Sequence, residues 1–458
     1  MKKITVLTVA VVLWQLLACD SFVETGLPKS QLSTSEVFED QATAAAALAN
    51  IYAKIRDTGM LTGSFTGLSL QLGNYADETV SYENASSSGS LFYGNRLLPS
   101  TTAVQDYWNT SYNQIYASNA LIEGVEKSQN LSPENKKQLK GEALFIRALV
   151  HFYLTNLFGS IPYITDTDYR KNSKVSRIDM QKVYEHILSD LNSAVLLLPT
   201  SYSTVERIRP NKWVCHALLS RVYLYSNRYA EASNEASAVL NENNLFSLEQ
   251  DIDRTFLVSS KETIWQLQPA FAGQNTKEGS SFIFISTPPT AASLSPSLFD
   301  SFAANDLRKS HWIKAVSNGT SIWYHPFKYK ERDNTAQSKE YSVLFRLAEQ
   351  YLIRAEARAR QGNLTGSKED LNQIRIRAGL DKTAAVTADE IANAILQERR
   401  WEYFTELGHR FFDLKRLEVL DKTLKPVKAG WNSEDKLFPI PQTELITNPN
   451  LQPQNPGY

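Results

Sequence analysis

A helical hairpin between residues 345 and 380 is the feature that most constrains this chain. Apolar or small residues recur there at every fourth position, namely Leu347, Tyr351, Ala355 and Ala359. This period places them on one face of a helix. Gly362 and Asn363 then mark a helix end, and a second periodic run begins at Leu364 and stops at Gly379. Two short amphipathic helices joined by a tight turn predict a hairpin of the tetratricopeptide type.

One such hairpin cannot bury its apolar face alone, so the chain should contain others on which it stacks. A second hairpin is introduced by Pro210 and Asn211 and turns at Asn227. Further helical patterns bring the expected total to about four hairpins. The predicted helical scaffold covers residues 36–58, 102–241 and 341–425. We therefore expect a mostly α-helical protein.

Two stretches lack the helical period. Residues 59–101 are rich in Gly, Ser, Asn and Tyr and are expected to be irregular. Residues 245–340 form an insertion rich in Pro, Ser, Gly and aromatic residues, with β-like runs at 263–267 and 282–285. Loops this long in a compact domain are usually functional or mobile. We expect both stretches on the ligand side of a single domain that spans residues 36–458.

The N-terminus has the features of an export signal. Lys2 and Lys3 precede an apolar run from Ile4 to Ala18, which is shorter than the roughly 20 residues needed to cross a bilayer. The run ends in Leu16-Leu17-Ala18-Cys19, which resembles a bacterial lipoprotein signal. We therefore predict a signal peptide over 1–18, lipidation of Cys19, a tether over 19–35, and membrane attachment through the acyl chains.

Composition and motifs argue against several classes of function. The net charge is −1, from 48 basic and 49 acidic residues, so nucleic acid is not an expected partner. The six His show no metal-ligand spacing, and no phosphate-binding loop, dinucleotide fingerprint or serine-nucleophile elbow is present. We expect no metal, no cofactor, no catalytic residue and no enzyme activity. A glycosidase carboxylate pair stays open, because sequence does not give the separation of two carboxylates.

A dense group of charged residues lies near the C-terminal helices: Arg399, Arg400, Glu402, Glu406, His409, Arg410 and Asp413. Such a cluster is either an acid–base or metal site, or a network of ion pairs that ties the last helices to the scaffold. We favour the network. Cys215 and His216 lie in an apolar helix and are expected in the core.

Taken together, motifs along nearly the whole chain resemble the SusD/RagB family of outer-membrane nutrient-binding lipoproteins of Bacteroidota. The matching pieces are residues 16–19, 141–154, 346–357, 371–375, 398–400, 408–416 and the terminal Gln454-Asn455-Pro456-Gly457-Tyr458. One departure is Phe411, where the family pattern has Trp. The resemblance implies four tetratricopeptide-like hairpins that dock on a TonB-dependent SusC-like barrel at the outer membrane. It also implies a surface that binds oligosaccharide, or peptide in some members, and performs no chemistry.

The resemblance implies that aromatic side chains from the two non-helical stretches contact ligand, because rings pack on sugar C–H groups while polar neighbours bind hydroxyls. The candidate ligand-binding residues are Asn74, Asp77, Tyr82, Tyr93, Trp312 and Trp323. Asn74 and Asp77 have turn capping as an alternative role. Trp312 and Trp323 lie among polar residues and are expected to be exposed, whereas Trp265 lies in an apolar run and is expected in the core.

The favoured function is therefore capture of a glycan at the cell surface for import. Peptide capture by the same kind of complex is the alternative within transport. A surface glycoside hydrolase and a pure tetratricopeptide adaptor remain as hypotheses from other classes.

Overall fold

The computed structural model of the protein describes residues 37–458 as stacked helical hairpins with one long insertion. The helices, in chain order, are α1 (Gln41–Asp57), α2 (Leu68–Tyr75), α3 (Ser88–Tyr93), α4 (Thr102–Lys127), α5 (Pro133–Phe158), α6 (Tyr169–Asn172), α7 (Met180–Leu197), α8 (Lys212–Tyr225), α9 (Tyr229–Leu240), α10 (Lys277–Phe282), α11 (Pro296–Ser301), α12 (Leu307–His311), α13 (Leu347–Arg360), α14 (Leu364–Arg377), α15 (Ala388–Tyr403), α16 (His409–Arg416), α17 (Leu420–Leu424) and α18 (Gln442–Thr447). The strands are β1 (Thr79–Ser81), β2 (Thr263–Leu267), β3 (Ala292–Leu294), β4 (Ile313–Ser317), β5 (Ile322–Pro326) and β6 (Ser342–Arg346). The predicted signal peptide, Cys19 and the tether lie outside the described residues.

The scaffold consists of four helix pairs: α1 with α4, α5 with α7, α8 with α9, and α13 with α14. Successive pairs stack, because α4 packs against α5, α7 against α8, and α9 against α13. Each hairpin thereby buries its apolar face on the next one, as stacked helical repeats require. The prediction of a mostly helical fold with about four tetratricopeptide-like hairpins is confirmed.

The fourth hairpin has the turn that its sequence predicts. Ala355 and Ala359 are buried where α13 faces its neighbours. Gly362 has a φ of +82°, in the left-handed region that favours glycine, and it ends α13. The side chain of Asn363 then caps α14 by accepting a hydrogen bond from the backbone N–H of Gly366 at 3.0 Å.

The long helices α4 and α5 fall within the predicted scaffold range of residues 102–241. Ser132 caps α5 by accepting a hydrogen bond from the N–H of Asn135, and Pro133 occupies the first turn, where its missing N–H costs nothing. By contrast, α1 begins later than the predicted start at residue 36. Asp40 has extended backbone and accepts hydrogen bonds from Ala42 and Thr43, so the helix starts after this cap.

The insertion leaves the scaffold after α9 and returns at α13, and its two ends pair as the antiparallel strands β2 and β6. Inside it, β4 and β5 form a hairpin. The predicted strand at 263–267 is confirmed. The predicted strand at 282–285 is wrong, because Phe282 ends the short helix α10, whose first turn is capped by Thr276.

The early stretch 59–101 is more regular than its composition predicted, since it contains α2, β1 and α3. Every residue of α2 is buried, so tertiary packing outweighs the weak helix propensity of its Gly, Ser and Asn residues. Strand β1 pairs antiparallel with β3 of the insertion, with Thr79 opposite Leu294 and Ser81 opposite Ala292. The two non-helical stretches of the sequence therefore meet in one two-stranded sheet.

Three apolar clusters hold the described residues together. The largest runs through the scaffold, and a smaller one joins α13, α14 and α15. A separate cluster lies within the insertion and against Phe404, and it includes Trp312. In the part of the chain that the structure describes, no helix combines the length and the apolar character needed to cross a membrane.

Candidate functional site

The charged residues near the C-terminal helices form a network of buried ion pairs. Glu402 contacts three guanidinium groups, those of Arg308, Arg346 and Arg377. Burial opposes ionisation of Glu402, but these cations outweigh it and hold the pKa of its carboxyl well below the usual range. Arg399 binds Asp413 at 2.7 Å. The ion-pair interpretation of this cluster is confirmed, and the structure shows no group of His, Cys, Asp and Glu in residues 37–458 that would hold a metal.

Two of the predicted ligand residues, Asn74 and Asp77, are buried and bonded to other residues of the fold. Asn74 is 1% exposed, and its Oδ1 accepts a hydrogen bond from the Thr79 hydroxyl at 2.6 Å. Asp77 binds Arg410 through both carboxylate oxygens and Arg400 through one. The expectation that Asn74 and Asp77 are available to a ligand is wrong, because both side chains are used within the fold.

Glu78, which follows this pair, is a buried carboxyl of a different kind. Its Oε2 accepts a hydrogen bond from the N–H of Thr405 at 3.2 Å, and its Oε1 has no partner among the described residues. Burial, reinforced by the charge of Asp77, raises the pKa of Glu78 to about 8. The carboxyl is 1% exposed, and at pH 7 its raised pKa favours the protonated form.

Trp312 is also part of the core. Its side chain has no exposed surface, and its indole N–H donates a hydrogen bond to the carbonyl of Ile252 at 3.0 Å. Phe256 packs edge-on against it at 5.5 Å between ring centroids. The expectation that Trp312 is exposed is wrong. The residues next to Trp312 in sequence are polar because the chain contacts the apolar cluster of the insertion only over a short segment, between α12 and β4.

The remaining candidates, Tyr82, Tyr93 and Trp323, lie where the early stretch meets the insertion. We call the surface formed by α3, β1, β3 and β5 the strand face. Helix α3 packs against β1, β1 pairs with β3, and β3 packs beside β5. Tyr82 is 41% exposed and Tyr93 is 36% exposed, while Trp323 is half-buried. Their role in binding stays a prediction.

The strand face has cationic and aromatic neighbours arranged around these rings. Lys428 lies 3.9 Å from the ring centroid of Tyr93 and donates a hydrogen bond to the carbonyl of Asn74 at 2.6 Å. Burial lowers the pKa of Lys428 to about 7, although the charge of Asp77 acts the other way. One face of the Tyr93 ring is therefore occupied by a lysine, which leaves the other face for contact.

Sequence reasoning missed an aromatic stack next to Trp323. Tyr324 stacks on Phe299 with ring centroids 3.7 Å apart and planes inclined by 13°, and Lys309 lies 4.4 Å from the Phe299 centroid. Nothing in the sequence pairs these two rings, since they belong to α11 and β5. The exposed Ile322 begins the same strand. Trp265, in contrast, is fully buried, as its apolar run predicted.

Chemically, the strand face offers rings, hydroxyls and an amine. Stacking on rings and hydrogen bonding at their edges are interactions that bind a ligand without transforming it. Four helical hairpins that carry a surface of this kind, made by an insertion and an early segment, define a helical-repeat binding scaffold.

Comparison with known proteins gives the family. Residues 26–224 match a family described as "Starch-binding associating with outer membrane", and residues 302–458 match the SusD family. The chain belongs to the SusD/RagB family. It is 27% identical over 523 residues to SusD-like protein P2 of Formosa agariphila, with 100% of both chains covered.

Solved structures show the same fold. A SusD superfamily protein of Bacteroides vulgatus superposes with a TM-score of 0.80 at 22% identity, covering 92% of this chain and 100% of that chain. A laminarin-binding SusD-like protein superposes with a TM-score of 0.76 at 24% identity, covering 92% of this chain and 100% of that chain. At these identities the superpositions describe the fold alone.

Proposed function

We propose that this protein binds an oligosaccharide at the cell surface and delivers it to a TonB-dependent SusC-like transporter of the outer membrane, without catalysis. The observation that carries the proposal is the pairing of β1 with β3, which joins the two non-helical stretches into one face. That face bears Tyr82, Tyr93 and Trp323. The family description and the laminarin-binding relative support a glycan as the ligand.

Membrane attachment belongs to the same proposal. An acylated Cys19 followed by a tether would hold the helical scaffold at the outer membrane, beside its barrel partner. The proposal of a binder without catalysis is supported by the use of the charged side chains near the C-terminus in ion pairs, such as Arg399 with Asp413. Glu78 and Glu278, two carboxyls whose pKa burial raises, are both buried.

The test is isothermal titration of the chain that begins after Cys19 with maltoheptaose, laminarin oligosaccharides and a panel of other glycans. We expect one glycan class to bind with micromolar or weaker affinity and to be recovered intact. Replacing Trp323 by Ala should weaken binding by about two- to tenfold, the value of one aromatic contact. Trp323→Phe keeps a ring and should retain most of the affinity.

The matched control is Leu196→Ala, which removes an apolar side chain that is 86% exposed on α7. It should leave glycan binding unchanged. A glycan that returns shortened would show a hydrolase instead, and binding of a peptide mixture with no glycan binding would favour peptide capture.

A further inference from the structure

A second surface of the protein has the features of a ligand site, away from the strand face. It is an open groove of about 410 Å³ along α4, within the size range of small-molecule sites. One side is the segment from Pro162 to Val175, and the other is α18 with the turn that follows it. Neither side belongs to the two stretches that build the strand face.

Three aromatic rings form the α4 side of the groove: Trp108, Tyr112 and Tyr116. They are spaced by four residues, so each ring lies about 6 Å along the helix from the next. This step is comparable to the length of one hexose unit in an extended chain. The rings differ in exposure, since Trp108 is 3% exposed, Tyr112 is half-buried and Tyr116 is 51% exposed. The exposed end of the ladder is therefore Tyr116.

Hydrogen bonds between its walls hold the groove open in advance of any ligand. Asn448 donates to the carbonyl of Val175 at 2.8 Å, which joins the two sides. The Tyr112 hydroxyl donates to the carbonyl of Pro162 at 2.9 Å, which fixes the ring against one side. Gln105 of α4 donates to the Thr443 hydroxyl of α18 at 3.1 Å. A preformed site costs a ligand less ordering free energy on binding.

The polar groups of the groove suit a neutral ligand. Asn109 on α4 presents an exposed amide, and Thr447 presents an exposed hydroxyl. Among the described residues that line the groove, Glu444 is the one charged side chain, and Lys54 reaches the edge of the groove by donating to Asn113 Oδ1 at 2.7 Å. Burial raises the pKa of Glu444, and a carboxyl at this depth is an acceptor for sugar hydroxyls. Ring faces beside amides are the pairing that recognises hexoses.

The geometry points to a second glycan-binding site in this groove, which takes a neutral oligosaccharide along Tyr112 and the exposed ring of Tyr116, with the buried Trp108 at its base. The inference rests on the proposed glycan-binding function and adds a site to it. Tyr116 also borders an adjoining cavity of about 260 Å³ that reaches Phe38 and Lys127. The two cavities meet at Tyr116.

The experiment uses the full chain in a detergent without a sugar headgroup, titrated calorimetrically with maltoheptaose and laminariheptaose. We expect two glycan sites per chain in the unaltered protein. Tyr116→Ala should weaken one site by about two- to tenfold, and Trp323→Ala should weaken the other. Tyr116→Phe keeps the ring and should retain binding. Asn109→Ala, which removes an exposed amide, should weaken the same site as Tyr116→Ala, and Leu196→Ala, on the outer face of α7, should change neither.

The outcomes separate the two proposals. If the unaltered protein binds no glycan, the proposed function fails. If it binds at one site that Trp323→Ala weakens and Tyr116→Ala leaves unchanged, the second site is overturned and the proposed function stands. If Tyr116→Ala leaves glycan binding unchanged and instead reduces recovery of a barrel protein with this chain, the groove is a protein contact and the inference is overturned. Thermal melts of each variant confirm that the fold is retained.

Discussion

The guanidinium of Arg410 binds both carboxylate oxygens of Asp77, at 2.8 and 2.9 Å, although 333 positions of chain separate the two residues. Arg400 contacts the same carboxylate at 2.9 Å. These ion pairs join the segment after α2 to the helices α15 and α16. The early segment, and with it strand β1, is therefore held on the scaffold by charge as well as by apolar packing.

Replacing Asp77 by Ala should destabilise the fold. The change leaves two buried guanidinium groups without their partner, and breaking a buried ion pair in this way costs about 3–5 kcal/mol. We expect a lower midpoint of urea unfolding. Asp333→Ala, which removes an exposed carboxylate, is the control and should leave the midpoint unchanged. An unchanged midpoint for Asp77→Ala together with weaker glycan binding would make Asp77 a ligand contact after all.

Trp312 and Trp323, which the sequence predicted to be exposed, should differ in their contribution to stability. Trp312→Ala removes a fully buried ring and its hydrogen bond to Ile252, so the free energy of unfolding should fall by about 3–5 kcal/mol. Trp323→Ala removes a half-buried ring and should cost less. Thermal melts compare the two variants. Equal losses of stability would contradict the placement of Trp312 in the core and Trp323 at the surface.

Glu78 should make the stability of the protein depend on pH. An unfolded glutamate loses its proton near its ordinary pKa of 4.5, whereas folding raises the pKa of Glu78 to about 8. Between these values the folded state binds the extra proton, so this contribution to stability is complete below about pH 4.5 and is lost as pH rises through about 8. The loss should reach roughly 3–5 kcal/mol. The charges of Arg410 and Lys328 favour the ionised form of Glu78, but burial and the charge of Asp77 outweigh them.

The matched variant is Glu78→Gln, which has nearly the same shape and stays neutral at every pH. Unfolding free energies of both proteins are measured by urea denaturation from pH 4 to pH 9. As pH rises, the unaltered protein should lose stability relative to Glu78→Gln, so the difference between their free energies of unfolding should grow. Parallel pH profiles would show that Glu78 is ionised in the folded state.

Cys19→Ser should release the protein from membranes. Each buried acyl CH₂ contributes about 0.8 kcal/mol, so loss of the acylated residue removes the anchor. Fractionation of cells should then find the variant in the soluble fraction. Cys215→Ala changes the other cysteine of the chain, which is buried in α8, and should stay with the membranes. A Cys19→Ser protein that pellets with membranes would rule out this anchor.

The helical part of the fold was predictable because its signal is local. The period of Leu347, Ala355 and Ala359 lies within one helix, and Gly362 marks its end in the sequence itself. Pro133 is likewise a local signal, because it lies in the first turn of α5 and marks where that helix begins. Such signals require no knowledge of distant parts of the chain.

The site was less predictable because it depends on contacts between distant segments. Asp77 looked like an available polar residue until Arg410, far along the chain, was seen to bind it. Trp312 has polar neighbours in sequence, yet Ile252 and Phe256 surround it in space. The three rings on α4 were not predicted as a site from the sequence, because the opposite wall of their groove comes from the C-terminal α18.

The pairing of β2 with β6 brings the two ends of the insertion together at one point on the scaffold. Because α9 packs directly on α13, the stack of hairpins is continuous without the insertion. Residues 245–340 therefore leave and re-enter the scaffold at one place. Between these ends the insertion is tied to the rest of the protein by β3 with β1 and by the buried ion pair of Arg308 with Glu402. A change of length or sequence that keeps these two contacts should leave the stack of hairpins intact.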